Sequence, residues 1–342
     1  MWGGALADAK DRRRLVIGAE LGALAITTLL LANSQASWSR LWPLFVLATA
    51  TAALNAFRRP SLEALVPMLV PREEVAAAGA IRSLFWTTGA VVGPIAAGLL
   101  IGRFGVGSVF VAQLATFCIS LPAYRALGAT PPPPNAERAS LRSVIESFRF
   151  ARSQPVLMGT YLVDFNAMIF GVPTAVFPAL AETRFGGPEV LGLLYAAPYA
   201  GSLIASATSG WTSRIHRHGR AVILGAGAWG AAILAFGFSN SLVLSLILLA
   251  VAGGADMVSG IFRMTIWNQT IPQRLRGRLA GIEFANVAGG PAIGDFEAGV
   301  VAELTSVKFS IVSGGIACLA GTALLAWRLP EFLRYDSRRS VS

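Results

Sequence analysis

A chain of 342 residues in which 54% are apolar and 13% charged lacks the polar surface to cover a water-soluble fold of its size. Its net charge of +10 comes from arginines clustered between apolar runs, a distribution suited to lipid headgroups, which excludes nucleic acid as a partner. Those runs reach about 20 residues, enough to cross a hydrocarbon core of about 30 Å, so the expected class is an all-α polytopic membrane protein.

Hydropathy places ten spans, near Arg14–Asn33, Leu41–Leu65, Ala76–Ile101, Val106–Leu127, Val156–Leu180, Val190–Trp211, Ala221–Phe238, Leu242–Ile266, Leu279–Ala302 and Val307–Leu329. Alternate connections are arginine-rich: Arg12 to Arg14, Arg72, the segment from Arg125 to Arg152, Arg214 to Arg220, Arg274 to Arg278, and the tail from Arg334 to Arg339. The intervening turns carry at most one arginine each (Arg40, Arg103, Arg184), so the arginine-rich set is expected on the cytoplasmic side, with both termini. The one long connection contains PPPP at 131–134, a stiff spacer, followed by Leu141, Val144, Ile145 and Phe148 at helical spacing, which reads as an amphipathic helix at the lipid surface. The resulting domain plan is an N-terminal bundle at 1–127, a cytoplasmic linker at 128–155, a C-terminal bundle at 156–329 and a cytoplasmic tail at 330–342. Cys118 and Cys318 lie in apolar runs and read as packing residues, while His216 and His218 share a basic turn and read as solvated or lipid-facing rather than metal-ligating.

The chain repeats internally. Phe57, Arg58 and Pro67 match Phe262, Arg263 and Pro272 at a constant offset of 205, and Gly93-Pro94 has a counterpart in Gly290-Pro291. The opening turn GGALADAKDRRR resembles the turn GWTSRIHRHGR, yet the two spans that precede the second turn have no counterpart before the first. Met1 is therefore expected to be a misassigned start or the start of a truncated product, with about 50 residues encoding two further spans upstream.

Two parallel repeats joined by a long loop, opened by a turn with Gly4, Asp8, Arg12 and Arg13, resemble the major facilitator superfamily. Ala9 and Asp11 depart from that family's usual loop, which carries a basic residue and a glycine at these places. The resemblance implies the major facilitator fold of two pseudo-repeated helical bundles, with ten of twelve helices present. It also implies a cytoplasmic gating role for Gly4, Asp8, Arg12 and Arg13. GAVVGPIAAG, with Gly89, Gly93, Pro94 and Gly98, resembles the helix motif of proton-coupled antiporters in this superfamily; read from the residues alone, it would equally serve helix packing. DFNAMIFGVPTAVFPALA, from Asp164, and SFRFARSQPVL before it are similar to the branch that contains the enterobactin exporter and related efflux proteins.

Charges inside apolar spans point to a working site, since each costs about 2.5–3.5 kcal/mol at a helix centre unless paired or hydrated. Asp164 lies eight residues past Val156, about 12 Å in at 1.5 Å per residue, with Asn166 two positions on. Asp256 and Arg263 share a helix face with Ser259 between them, spaced to pair through a shift or a water, and Arg58 is the repeat mate of Arg263. Asp164, Asn166, Asp256, Arg263 and Arg58 are the candidate cavity and coupling residues, although both arginines equally suit gates or positive-inside anchors. Glu20, Glu283, Asp295 and Glu297 are weaker candidates. The only lysines, Lys10 and Lys308, lie in no phosphate-cradling loop, and no nucleophile-base-acid set is present, so an ATP-driven pump and a membrane enzyme are both disfavoured.

The function expected is secondary active export of a small molecule (siderophore, drug or secondary metabolite) by a monomer, with protons and membrane lipids as partners and no cofactor. The alternatives are a non-transporting membrane sensor and an inactive truncated product. Cysteines introduced near Ser239 and near Arg217 are expected to label from opposite faces of the membrane with an impermeant maleimide. Labelling from one face would overturn this topology.

Overall fold

The computed structural model describes residues 12–36, 41–127, 148–272 and 275–338, and the regular structure among them is helical throughout. Ten long helices occupy the ten expected spans: α1 Arg12–Gln35, α2 Trp42–Leu69, α3 Val75–Phe104, α4 Gly107–Ala126, α5 Pro155–Phe170, α6 Pro188–Ala207, α7 His218–Phe238, α8 Leu242–Thr270, α9 Arg276–Leu304 and α10 Val307–Arg328. A short α11, Pro330–Leu333, follows. Eight stretches among the described residues are long and apolar enough to cross a membrane. The two other long helices are α2, apolar over Trp42–Asn55 before it meets Arg58, and α9, which carries Glu283, Asp295, Glu297 and Glu303. Large apolar side chains such as Leu224, Trp327 and Phe296 are more than 70% exposed on these helices, a surface that requires lipid rather than water. Gly4, Asp8, the PPPP spacer and the amphipathic stretch up to 147 lie outside the described residues.

The chain divides into two compact units, Met1–Trp86 with Leu99–Ser140, and Thr87–Gly98 with Leu141–Ser342. In the first, α1 packs against α2 and α4. Arg13 ties the start of α1 to the end of α4, its Nε donating to the Tyr124 carbonyl (3.2 Å) and its Nη2 to that of Arg125 (2.5 Å). The last carbonyls of a helix have no partner within it and sit at the negative end of its dipole, so a guanidinium there answers both needs.

In the second unit, α7 lies between α8 and α10, α8 also packs on α6, and α9 and α10 pack on α5. Local sequence sets several helix starts. Ser241 and Ser306 accept backbone N–H groups from Leu244 and Phe309 to open α8 and α10, while Gly186 and Gly187, at φ of 105° and 109°, turn the chain into Pro188 at the head of α6. Where α6 crosses α8, a Cβ on Gly201 would collide with the Ala250 carbonyl and one on Gly253 with the Pro198 carbonyl, so the helices meet backbone to backbone. Ser202 Oγ donates to the Gly253 carbonyl (2.8 Å) at the same crossing. Gly253 serves this close approach in a helix unbroken from Leu242 to Thr270.

The expected span Val156–Leu180 breaks in two. Helix α5 ends at Phe170; Gly171 to Pro173 follows, then a 3-10 turn Thr174–Val176, one α-turn Phe177–Leu180 and a π-turn Ala181–Phe185. Pro173 has no N–H to continue the α5 ladder, and Pro178 fits the start of the new turn, so GVPTAVFP writes the break into the sequence. Asp295 of α9 takes up the freed donors, its Oδ1 accepting from Thr174 Oγ1 (2.5 Å) and the Ala175 N–H (2.9 Å).

Two sequence expectations need correction. His218 is buried, at 6% exposure, rather than solvated or lipid-facing, because its ring packs against Phe262 and Tyr335 and its Nε2 reaches the Ile215 carbonyl (3.0 Å). Cys318 is buried as a packing residue should be, but Cys118 of α4 is exposed. The first turn of the tail is also core: Phe332 is fully buried, and Gly159 of α5 and Gly219 of α7 make room for its ring and its backbone. Phe332→Ala is expected to lower stability by about 3–5 kcal/mol, measured by detergent-induced unfolding. Phe296→Ala, at a lipid-facing position, should leave the same midpoint nearly unchanged.

Candidate functional site

The polar residues that face inward in the second unit converge on Arg263. It sits in the last third of α8, is 9% exposed, and directs its guanidinium at carboxylates from two helices. Nη1 lies 2.7 Å from Asp164 Oδ1 on α5, and Nη2 lies 3.4 Å from Asp256 Oδ1, seven residues back on α8. The intervening Ser259 hydroxyl accepts from Nη1 at 3.4 Å, and Nε, also buried, makes no hydrogen bond. The 3.6-residue period puts 256, 259 and 263 on one face, so the Asp256–Arg263 pair forms directly, without the shift or the water the spacing had allowed.

Asp164 is 2% exposed, and its two oxygens have different partners. Oδ1 meets Arg263, and Oδ2 accepts a hydrogen bond from Asn286 Nδ2 of α9 (2.8 Å). Glu283, one turn before Asn286, acts electrostatically on both Asp164 and Arg263. Beneath this cluster, Tyr161 stacks on Trp267 (centroids 5.5 Å apart), whose Nε1–H donates to Thr160 Oγ1 (2.7 Å), and Leu157, Leu275 and Leu279 close the layer. The result is one guanidinium set among Asp164, Asp256 and Glu283 over an apolar floor. Arg263 thus joins α5 and α8 through ion pairs to Asp164 and Asp256.

Asn166 stands apart from this cluster. Its Nδ2 donates to the Cys318 carbonyl (2.9 Å) and to Thr322 Oγ1 (3.2 Å), fastening α5 to α10. Two residues on a helix are 200° apart, so Asp164 and Asn166 face different neighbours. In the first unit, Arg58 pairs with Glu20 of α1, Nη2 to Oε1 at 2.6 Å, and Glu20 is 2% exposed. Arg58 and its repeat mate Arg263 therefore both answer a buried acid; among the described residues Arg58 pairs with Glu20, and Arg263 pairs with Asp164 and Asp256. Arg12 opens α1 with its side chain outside the described set, and Arg13 caps α4. Of the α3 glycines, Gly98 packs against Pro188 and Gly192 of α6, Gly192 in turn lies against the Pro94 carbonyl, and Gly89 and Gly93 have no atom within 4 Å of where a Cβ would stand.

Asn286 was missed in the sequence. It sits three residues after Glu283 and four before Gly290, so a lone amide at helical spacing from an intramembrane acid was the available signal. Asp295 proves to be a cap for the α5 break.

Comparison with known proteins agrees with this architecture. The transmembrane secretion effector family of major facilitator transporters matches residues 1–341. The chain is 30% identical over 337 residues to the enterobactin exporter of Escherichia coli O1:K1, covering 98% of this chain and 80% of that protein. It is also 30% identical to the enterobactin exporter of Citrobacter koseri, over 328 residues that cover 95% and 78% of the two chains. Among solved structures, a POT family transporter bound to a thioalcohol-conjugated peptide superposes with a TM-score of 0.73 at 11% identity, over 96% of this chain and 84% of that one, a likeness of fold alone. The helical fold, the buried charge cluster and these matches together place the chain in the transmembrane secretion effector family of major facilitator transporters.

Proposed function

We propose that this transporter is a proton-coupled exporter of a small molecule, with Asp164 as the coupling carboxylate, Arg263 its charge partner and both chain termini in the cytoplasm. The observation that carries this reading is the buried contact of Arg263 with Asp164 and Asp256. With Arg263 always charged, a proton on Asp164 weakens its hold on the guanidinium, leaving Arg263 to Asp256 and changing the force between α5 and α8. Alternating occupation of one site by a proton and by substrate is what antiport requires, and a carboxylate out of water and beside a cation is suited to it. The similarity to enterobactin exporters favours an outward direction and a polar, siderophore-like cargo.

The test uses everted membrane vesicles holding the full chain, an imposed pH gradient, and enterobactin and ethidium as probes. Wild type is expected to accumulate at least one probe in a gradient-dependent way. Asp164→Asn, which keeps shape and polarity but removes the titratable charge, should reduce gradient-driven accumulation by at least tenfold at unchanged membrane abundance. Wild-type accumulation by that variant would remove Asp164 from the coupling role.

A further inference from the structure

Helix α9 is tied to α5 at three levels. Near its middle, Gly290 and Gly294 bring it against Met168 and the Met168 and Ile169 carbonyls, where a Cβ at either glycine would find no room. One residue beyond, Asp295 holds the start of the 3-10 turn that follows α5. On the other side of the glycine contact, the Asn286 amide meets Asp164. The first two ties involve backbone and a cap that stay the same whatever Asp164 does. Only the third ends on the carboxylate that the function proposed above makes titratable.

The chemistry of that third tie is specific. An ionised carboxylate only accepts, and the Asn286 Nδ2–H supplies a donor to Oδ2 while Arg263 holds Oδ1. Once Asp164 carries a proton on Oδ2, the contact becomes donor against donor. An amide can answer by turning over to present its Oδ1 carbonyl, an adjustment that leucine, with no polar atoms, cannot make. Among the described residues, the other charged groups that interact with Asp164 are Arg263 and Asp256 from α8 and Glu283 from α9.

We propose that Asn286 is a positioning residue through which α9 reads the protonation state of Asp164, turning about the glycine contact at Gly290 and Gly294. The inference rests on Asp164 being the coupling carboxylate. Asn286 moves no proton itself; it converts a proton on α5 into a new hydrogen-bond geometry on α9, while Asp295 keeps the far half of α9 fixed to the α5 break. The apolar contacts of Leu275 and Leu279 with Leu157 at the near end are non-directional and allow such a turn.

The experiment places spin labels at Val287 on α9 and Ile204 on α6, both exposed, in the full chain in lipid nanodiscs, and measures the distance between them at pH 8 and pH 5.5. Wild type is expected to change distance between the two pH values. Asn286→Leu should lose the change, and Asn286→Gln, which keeps the amide, should restore it. Asp164→Asn should also show none. If Asn286→Leu keeps the wild-type change while Asp164→Asn loses it, the role of Asn286 is overturned and that of Asp164 stands. Should Asp164→Asn keep the change, the coupling reading itself falls. Unfolding midpoints for each variant identify a loss caused by misfolding, and the Asn286→Gln result then decides: a folded variant without the change overturns the inference.

Discussion

A guanidinium buried at membrane depth is tolerated only where it is compensated, and the placement of Arg263 organises the second unit accordingly. Its two nearest acids come from different helices, so satisfying the cation also fixes α5 against α8, and Asn286 extends the same network to α9. Removing Arg263 would strand the buried Asp164 carboxylate away from water, a cost of several kcal/mol. The polar network is thus an adhesive between three helices.

Tight backbone packing surrounds this cluster. Helices in lipid gain little from hydrophobic association, so closeness has to come from small residues. The crossing of α6 and α8 at Gly201 and Gly253, and that of α9 on α5 at Gly290 and Gly294, are contacts of this kind. The break after Phe170 is the complementary case: backbone groups freed by Pro173 lie at membrane depth and are met by a side chain, Asp295, brought from α9. Acids on one helix thus serve two physical ends, with Asp295 completing a backbone and Glu283 adding charge to the Arg263 site.

The internal repeat acquires a physical meaning when each unit is taken by itself. Arg58 and Arg263 occupy matching places in sequence, and each finds a buried acid. Among the described residues, Glu20 and Arg58 pair one acid with one base, whereas Arg263 holds two acids from two helices. Repetition supplied the scaffold twice, and the distribution of acids separates the two copies chemically.

Hydropathy and arginine placement determined the membrane class and the ten helices, because the cost of burying charge in lipid acts on each segment independently of its neighbours. The α5 break, across which the sequence reading ran one span, and the serine starts of α8 and α10 are local backbone effects written in Pro173, Ser241 and Ser306. Asp164, Asp256 and Arg263 were legible as intramembrane charges, and the spacing on α8 put two of them on one face. Their meeting across helices was decided only by the tertiary structure, as were the selection of Asn286 and the diversion of Asn166 to α10. The same holds for the burial of His218 and Phe332, which sequence places in a basic turn and a tail. Partner choice of this kind depends on helix rotation and crossing, and those are set by packing among residues up to about 160 positions apart in the chain, beyond any local pattern.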